Sequence, residues 1–444
     1  MTGRVAIIGA GASGTMLAIQ LLRRTALDVT LVERAAFGRG VAYGTDCDAH
    51  LLNVRSGRMS LDPDAPGDFA RWLAANSPEE ADAGGFARRS SYGRYLAARL
   101  AEAEEVAPGR LTRAAGEARS ADADGVTLAD GERLPAQAVV LATGNLPPEP
   151  QRFAGAESLG ERLVADPWAP GAMARIGADD DVLLIGTGLT AIDVLLALDA
   201  RGWRGRTTAL SRRGLLPRSH DPVGHTVTPE RPDTGVPAAE ALRAFRDRAE
   251  SQPWGDLMEQ VRPFVADLWR GAAPAERRRF LRHLRPWWDV HRHRTAHAVG
   301  QTVRRMIDGG RVEIAAGRLR AASPDGEGVT ARWAPRGRDG EREQRFGWIV
   351  VCTGPAFDLE RTADPLLGAL FREGRARVDP LRLSLDVDAE CRVLDAEGQA
   401  SDGLYAMGPL TRGAFWEIVA VPDIREQAKA LADRLGASFG GGSA

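Results

Sequence analysis

Arg4-Val-Ala-Ile-Ile-Gly9-Ala-Gly11-Ala-Ser13-Gly14 decides how this chain begins to fold. Residues 4 to 8 form a short apolar run and read as a buried strand. Residues 13 to 24 place Leu17, Leu21 and Leu22 on one side of a helix, and Asp28 to Val32 read as the next strand, so the segment is a βαβ unit. In such a unit Gly9 permits the tight turn, Gly11 lets the backbone approach a pyrophosphate, and Gly14 lets the helix pack close to the strand. Ser13 lies in the turn where free N–H groups of the helix face the phosphates. Glu33 closes the second strand, about 20 residues past the turn, where a carboxylate accepts from ribose hydroxyls. The stretch therefore predicts a dinucleotide site. Its bland counterpart is an ordinary glycine turn with Glu33 on the surface.

The pattern recurs. Asp181-Val-Leu-Leu-Ile runs into Gly186-Thr-Gly188-Leu-Thr190-Ala191, with a helix expected over 189–201 and a strand over 207–210. Two such units this far apart imply two nucleotide-binding domains, because solenoid repeats run roughly 20–50 residues. After the second strand comes Ser211-Arg212-Arg213 and no acid. A guanidinium donates in a fork to phosphate oxygens, so these arginines favour NADPH over NADH at the second site. Their bland counterpart is two solvated arginines.

Bulk properties narrow the class. The chain has 444 residues, 44% of them hydrophobic, and a formal net charge of -2. That length allows two or three domains, and the charge balance gives no support for a nucleic-acid partner. Lys429 is the single lysine, which excludes a P-loop lysine. Cys47, Cys352 and Cys391 are far apart, with no CxxC, which argues against a disulfide framework, a zinc site or a dithiol centre. No apolar run is long enough for a membrane span, no signal-peptide layout is present, and the expected location is the cytoplasm. The tail from Gly440 is expected to be disordered.

The fold class expected is α/β: two Rossmann-like dinucleotide-binding domains, for FAD and NADPH, with a mostly helical insertion. The insertion spans about 226–300, a region rich in Trp, Arg, Pro and His without strand signals. The expected boundaries are 1–165 for the first part of the FAD domain, 166–347 for the NADPH domain and 348–444 for the second part of the FAD domain. Buried strands are expected at 138–141, 348–351 and 404–407, and a last long helix over 423–435.

FAD is placed at the first site through a resemblance to two-dinucleotide flavoproteins. Their return strand ends in Ala-Thr-Gly, here Ala142-Thr143-Gly144, and their last flavin-contacting strand resembles Asp402-Gly-Leu-Tyr-Ala-Met-Gly408. That family usually has Gly-Asp where this chain has Gly408-Pro409. Over nearly its whole length the chain resembles bacterial FAD/NAD(P)-binding oxidoreductases. The shared segments include Phe37-Gly-Arg39-Gly-Val-Ala-Tyr-Gly44, His50-Leu-Leu-Asn53, Met59-Ser, Asp166-Pro-Trp168, Ser211 to His220, Arg285-Pro-Trp-Trp-Asp-Val-His-Arg-His293, Gly408 to Gly413 and Phe415-Trp-Glu417. It is more distantly similar to class B flavin monooxygenases, including those that N-hydroxylate amino-acid amines. It departs from their FxGxxxH pattern, because Phe153-Ala-Gly155 is followed by Leu159 where the His would stand.

The resemblance implies that 38–60 lies along FAD, with Arg39, Asn53 and Met59 in contact; Met59 reads equally as core. Cys47 is expected to be inert. A metal at His291, His293 and His297 is disfavoured by the flanking arginines, and no metal is expected. Arg218, His220, Arg285 and His291 are the candidates for chemistry, as the lining of a pocket for an anionic substrate. Their bland counterpart is a solvated helix face. Expected partners are a small-molecule substrate and O₂, with homodimerisation open. Three functions fit: a monooxygenase that oxygenates an amine or sulfur, an NADPH-dependent reductase or dehydrogenase without oxygen insertion, and a non-enzymatic flavin redox sensor.

Overall fold

Val5, Ala6 and Ile7 have no exposed surface because their strand lies in the middle of a sheet covered on both faces. The computed structural model describes residues 3–122, 124–223, 227–233, 235–356 and 358–440. The chain opens with β1 (Arg4–Ile8), the helix Ala12–Arg24 and β2 (Asp28–Glu33). Helices Asp68–Asn76 and Arg89–Glu105 lead to β3 (Leu111–Ala115). Three short strands follow, β4 (Ala118–Asp122), β5 (Gly125–Leu128) and β6 (Arg133–Pro135), and then β7 (Ala138–Leu141). Next come β8 (Leu163–Val164), β9 (Val182–Ile185), the helix Leu189–Ala200 and β10 (Thr207–Ser211). Beyond the insertion lie β11 (Val312–Asp325), β12 (Gly328–Pro335), β13 (Arg342–Phe346) and β14 (Trp348–Val351). The chain ends with β15 (Arg392–Leu394), β16 (Ala400–Ala406) and the helix Val421–Phe439.

The first sheet runs β15-β16-β7-β1-β2-β3, parallel except for β15. Strands buried on both faces need continuous apolar runs, which is what β1 and β7 supply. One face is covered by the helices Ala12–Arg24, Arg89–Glu105 and Val421–Phe439, around Leu17, Leu21, Tyr95 and Leu431. The antiparallel β4-β5-β6 sheet and the helix Pro365–Arg372 cover the other. Arg23 and Arg24 end the first helix, where cations oppose the partial negative charge of its C-terminus.

The second sheet runs β13-β12-β11-β10-β9-β14-β8. Its β8, β14, β9, β10 and β11 are parallel, and β11, β12 and β13 form an antiparallel extension. The α/β class with two Rossmann-like units is thus the observed one. The expected domain boundaries at 165/166 and 347/348 cut through this sheet, since β8 and β14 pair with each other and β14 pairs with β9. A short apolar run such as Trp348–Val351 reads as a buried strand whichever sheet it joins, so sequence could not assign it.

The insertion is helical from Ala238 and continues past residue 300, to Asp308. Its helices are Ala238–Ala249, Trp254–Val261, Val265–Gly271, Pro274–Arg279, Arg285–Arg292 and His297–Asp308. The start of the expected insertion at residue 226 and the tail beyond Gly440 lie outside the described residues. The last helix begins at Val421, since Pro422 is tolerated in a first turn. Among the described residues no helix is long and apolar enough to cross a membrane.

Candidate functional site

Each parallel sheet has one place where neighbouring strands leave in opposite directions, and ligands of such sheets bind outside the carboxyl ends at that point. In the first sheet it lies between β1 and β7. Gly9 has φ +103, and a Cβ there would stand 2.6 Å from the Ala142 carbonyl oxygen at the end of β7. A Cβ on Gly14 would meet the Gly9 oxygen at 1.9 Å, so this glycine lets the helix sit on the turn. Gly11 is different: its nearest neighbour would be the Gly40 Cα at 3.6 Å. The backbone there is open to an approaching group.

Around this opening, Gly38 donates to the Ala10 carbonyl at 2.9 Å and draws the 38–44 segment over the turn. Arg39 is exposed on that segment. Glu33 accepts from the Ala10 N–H at 2.8 Å and from the N–H groups of Arg34 and Ala35, which pins its carboxylate beside the turn. Ser13 is buried against Gly408, whose φ is +65 and whose Cβ would lie 2.5 Å from the Ser13 hydroxyl. Gly408 donates to Gln427 at 2.7 Å, which ties the end of β16 to the last helix. The Thr143 hydroxyl is buried with no hydrogen-bond partner among the described residues, and Gly144 follows it at φ +73. An orphaned hydroxyl at the switch point, beside an open backbone turn, fits a polar ligand. Met59, expected at the cofactor, is 2% exposed and packed in the core. It shares that apolar cluster with Phe69 and Leu73, in keeping with the core alternative.

The second crevice repeats the first with β9 and β14 in place of β1 and β7. Gly186 has φ +125, and a Cβ would stand 2.2 Å from the Cys352 carbonyl oxygen. A Cβ on Gly188 would meet nothing within 4 Å among the described residues. Thr190 lies in the first turn of the helix that follows. Thr187 donates to the Leu215 carbonyl, and the Ser211 hydroxyl accepts from the Gly214 N–H at 3.0 Å. These bonds fold the turn that carries Arg212 and Arg213 back towards the crevice. Both arginines line a cavity of about 730 Å³, together with Thr353-Gly354 after β14, Arg152 from the linker, and Arg282 and Arg285 from the insertion.

Residues 6–146 match the family model described as FAD-NAD(P)-binding. The match spans β1 through β7, the whole first crevice apart from Gly408. Among curated proteins no sequence match is found. Solved structures are similar across nearly the entire chain. The ornithine hydroxylase PvdA of Pseudomonas aeruginosa is 16% identical with a TM-score of 0.66, covering 98% of this chain and 99% of its own. L-lysine 6-monooxygenase from Pseudomonas syringae is 18% identical with a TM-score of 0.64 and the same coverage, 98% and 99%. The thioredoxin reductase of Lactococcus lactis is 15% identical with a TM-score of 0.55, again covering 98% and 99%. These likenesses establish a two-Rossmann fold throughout.

The FAD/NAD(P)-binding domain is bolted to the second domain. Arg89 meets Asp193 through both guanidinium nitrogens, at 2.9 and 3.0 Å, and its Nε donates to the Leu51 carbonyl. His50 Nε2 lies 2.9 Å from the Asp193 carbonyl oxygen. Ile192, Leu196, Val299 and Val303 of the second domain and insertion pack beside Leu51 and Phe86 of the first. Asp193 sits one turn into the helix that starts at the Gly186–Gly188 turn. Cys47, expected to be inert, is half-buried, and a hydrogen bond from His50 holds its thiol below the ordinary range. Burial pushes the thiols of Cys352 and Cys391 up, the latter to about 11.

The four candidates for chemistry do not converge on one pocket. Arg218 lies over the Trp254 ring at 5.0 Å, and His291 meets the edge of the same ring at 4.6 Å. His220 reaches the Asn53 carbonyl oxygen at 3.0 Å and packs on Phe86, so Asn53 is held through its backbone. Arg285 faces the arginine-lined cavity. Arg285 and His291 share a helix but are six residues apart, which puts them about 120° apart around its axis. The histidines add little positive charge either. Burial, with help from Arg294, pushes His220 down to about 4, and burial lowers His291 and His293. His291 is engaged with the Trp287 carbonyl and His297 with Gln301.

What the sequence reading missed is a buried ionic seam between the insertion and the C-terminal segment that follows β16. Arg292 and Glu417 approach to 2.9 Å, with side chains 9% and 6% exposed. Trp288 donates to Glu417 at 2.9 Å, Trp269 stacks on Trp416 at 4.7 Å, and Arg262 lies 3.6 Å from Asp423. Burial alone would raise the Glu417 carboxyl, but Arg292, His293 and Trp288 outweigh it and hold it below its usual range. Arg292 and Glu417 both stand in segments that carry the family resemblance, but nothing local in either pairs them.

Proposed function

We propose that the chain is an FAD- and NADPH-dependent monooxygenase that N-hydroxylates a small amine or amino acid. The observation that carries this is the pair of matched switch-point crevices, one with a carboxylate beside its turn and the other with arginines. The residues fit the two groups. Gly11 and Gly188 leave room for a pyrophosphate, Glu33 stands where a ribose hydroxyl needs an acceptor, and Thr143 has an unused hydroxyl. Arg212 and Arg213 suit a 2′-phosphate. Bound in these crevices, the two cofactors supply hydride transfer and the activation of O₂.

The chain's own contribution is binding and orientation. The two helix N-termini present N–H groups to the pyrophosphates. Arg89 and Asp193 hold the crevices at a fixed mutual angle, which serves proximity. Trp269, Trp288 and Trp416 exclude water along the seam beside the last helix. Oxygenation of an amine, rather than electron transfer alone, is favoured by the similarity to proteins named as ornithine hydroxylase and L-lysine 6-monooxygenase. The test is to reduce the FAD-loaded protein with NADPH, mix it rapidly with O₂ and a panel of amines and amino acids, and measure hydroxylamine. A substrate-dependent hydroxylamine yield is expected. Oxygen consumption that yields only hydrogen peroxide with every candidate would turn the assignment to a reductase, and no reduction by NADPH would refute it.

A further inference from the structure

The cavity beside Arg212 and Arg213 has a second basic wall. It comes from the insertion, where Arg282 and Arg285 face it. Arg282 lies in the π-helical turn Phe280–Leu284 and Arg285 opens the helix that follows, and both reach the cavity. The acids in the lining are Glu149 and Asp289, and Asp289 is already 3.4 Å from Arg285. Guanidinium groups thus outnumber carboxylates, and a site of this volume with that balance calls for an anion. Of the other three candidates for chemistry, Arg218 and His291 lie around Trp254 and His220 lies between the Asn53 carbonyl and Phe86. Arg285 therefore shares its surroundings with the nucleotide arginines and not with them.

A phosphate monoester offers three terminal oxygens, more than one fork can use, and it is best held by guanidinium groups from opposite sides. We infer that Arg282 and Arg285 complete, from the insertion, the phosphate site that Arg212 and Arg213 begin. The insertion then closes over the 2′-phosphate of NADPH, and Arg285 is a cofactor-specificity residue rather than a substrate ligand. This rests on the assignment of NADPH to the second crevice.

Equilibrium titration of the FAD-loaded protein with 2′,5′-ADP and with 5′-AMP tests it without turnover. Arg282→Ala/Arg285→Ala is expected to weaken 2′,5′-ADP by about tenfold or more and to leave 5′-AMP within about twofold, since each charge-assisted fork contributes strongly. Arg285→Lys keeps the charge but not the fork and is expected to fall between. Arg285 also neighbours Trp416, at 5.9 Å, so the flavin spectrum and melting temperature are recorded for every variant, and Arg282→Ala alone carries the test if Arg285→Ala does not fold. Unchanged 2′,5′-ADP affinity in these variants, while Arg212→Ala/Arg213→Ala loses it, would overturn the two-sided clamp and leave the NADPH assignment standing. Equal binding of both nucleotides by the unaltered protein would remove that assignment and the clamp together.

Discussion

Gly11 and Gly14 stand three residues apart in one turn, and alanine at each should fail differently. At Gly14 the new Cβ would lie 1.9 Å from the Gly9 carbonyl oxygen, against the roughly 3.3–3.6 Å of an ordinary carbon–oxygen contact, so the helix Ala12–Arg24 must move by more than about 1 Å. Overpacking of this kind costs about 1–3 kcal/mol, and the better helix propensity of alanine returns about 1 kcal/mol. At Gly11 the same methyl has its nearest neighbour at 3.6 Å, an ordinary contact, and φ is -71, which alanine adopts freely. The loss of a glycine at a helix N-cap and the gain from a stiffer unfolded chain nearly cancel. Gly11→Ala should therefore fold like the unaltered protein without flavin and yet bind FAD poorly, because the methyl occupies the opening. Saturating FAD at about 100 times its Kd stabilises a protein by about 2.7 kcal/mol, and about 2–4 °C accompanies each kcal/mol in a domain of this size. Thermal melts with and without FAD, alongside flavin absorbance of the purified protein, separate the cases. The unaltered protein gains several degrees with FAD; Gly11→Ala starts at the same apo temperature and gains almost nothing; Gly14→Ala starts lower. Full flavin content in Gly11→Ala, or an unshifted apo melt in Gly14→Ala, would refute this account of the crevice.

Arg212→Ala/Arg213→Ala should erase a preference of about tenfold or more for NADPH over NADH by raising the NADPH Michaelis constant, as one charge-assisted fork contributes on the order of 1.5–3 kcal/mol; steady-state kinetics with both nucleotides check it. Asp193→Ala strands the Arg89 guanidinium in the domain interface, where breaking a buried pair costs about 3–5 kcal/mol, and Arg89→Met/Asp193→Leu should recover most of that loss in denaturant melts. Glu259 is held at about 2, because Arg58, Arg262 and Arg294 outweigh the effect of burial. A folded-state pKa below the unfolded one gives stability that is complete above about pH 4.5 and is lost as pH falls towards 2. Glu259→Gln should accordingly flatten the acid limb of the stability profile within that window.

Both nucleotide units were legible because each rests on local patterns: an apolar run, glycines at fixed offsets, and a helix that follows at once. Even the role of Gly9 in the tight turn could be assigned without the strand that crowds it. Pairing was not legible, and it moved Trp348–Val351 into the second sheet. The antiparallel β11-β12-β13 extension was missed because its strands are interrupted by exposed Arg and Glu, which leaves no continuous apolar run. Met59 looked like a ligand contact in a segment and is core in three dimensions. Arg218, His220, Arg285 and His291 formed a group by proximity in sequence and composition. Helix periodicity alone separates Arg285 from His291, so that division could have been drawn earlier. The Arg292–Glu417 seam joins segments far apart in sequence, and no local pattern encodes such a meeting.

The Arg89–Asp193 bolt also bears on how the molecule comes apart. Asp193 belongs to the helix of the second crevice, while Arg89 and His50 belong to the wall of the first, and apolar packing surrounds them. Melting either domain alone would strand one buried charge and bare that apolar patch. Because neither domain melts without that penalty, a ligand that stabilises one of them also raises the melting temperature of the other.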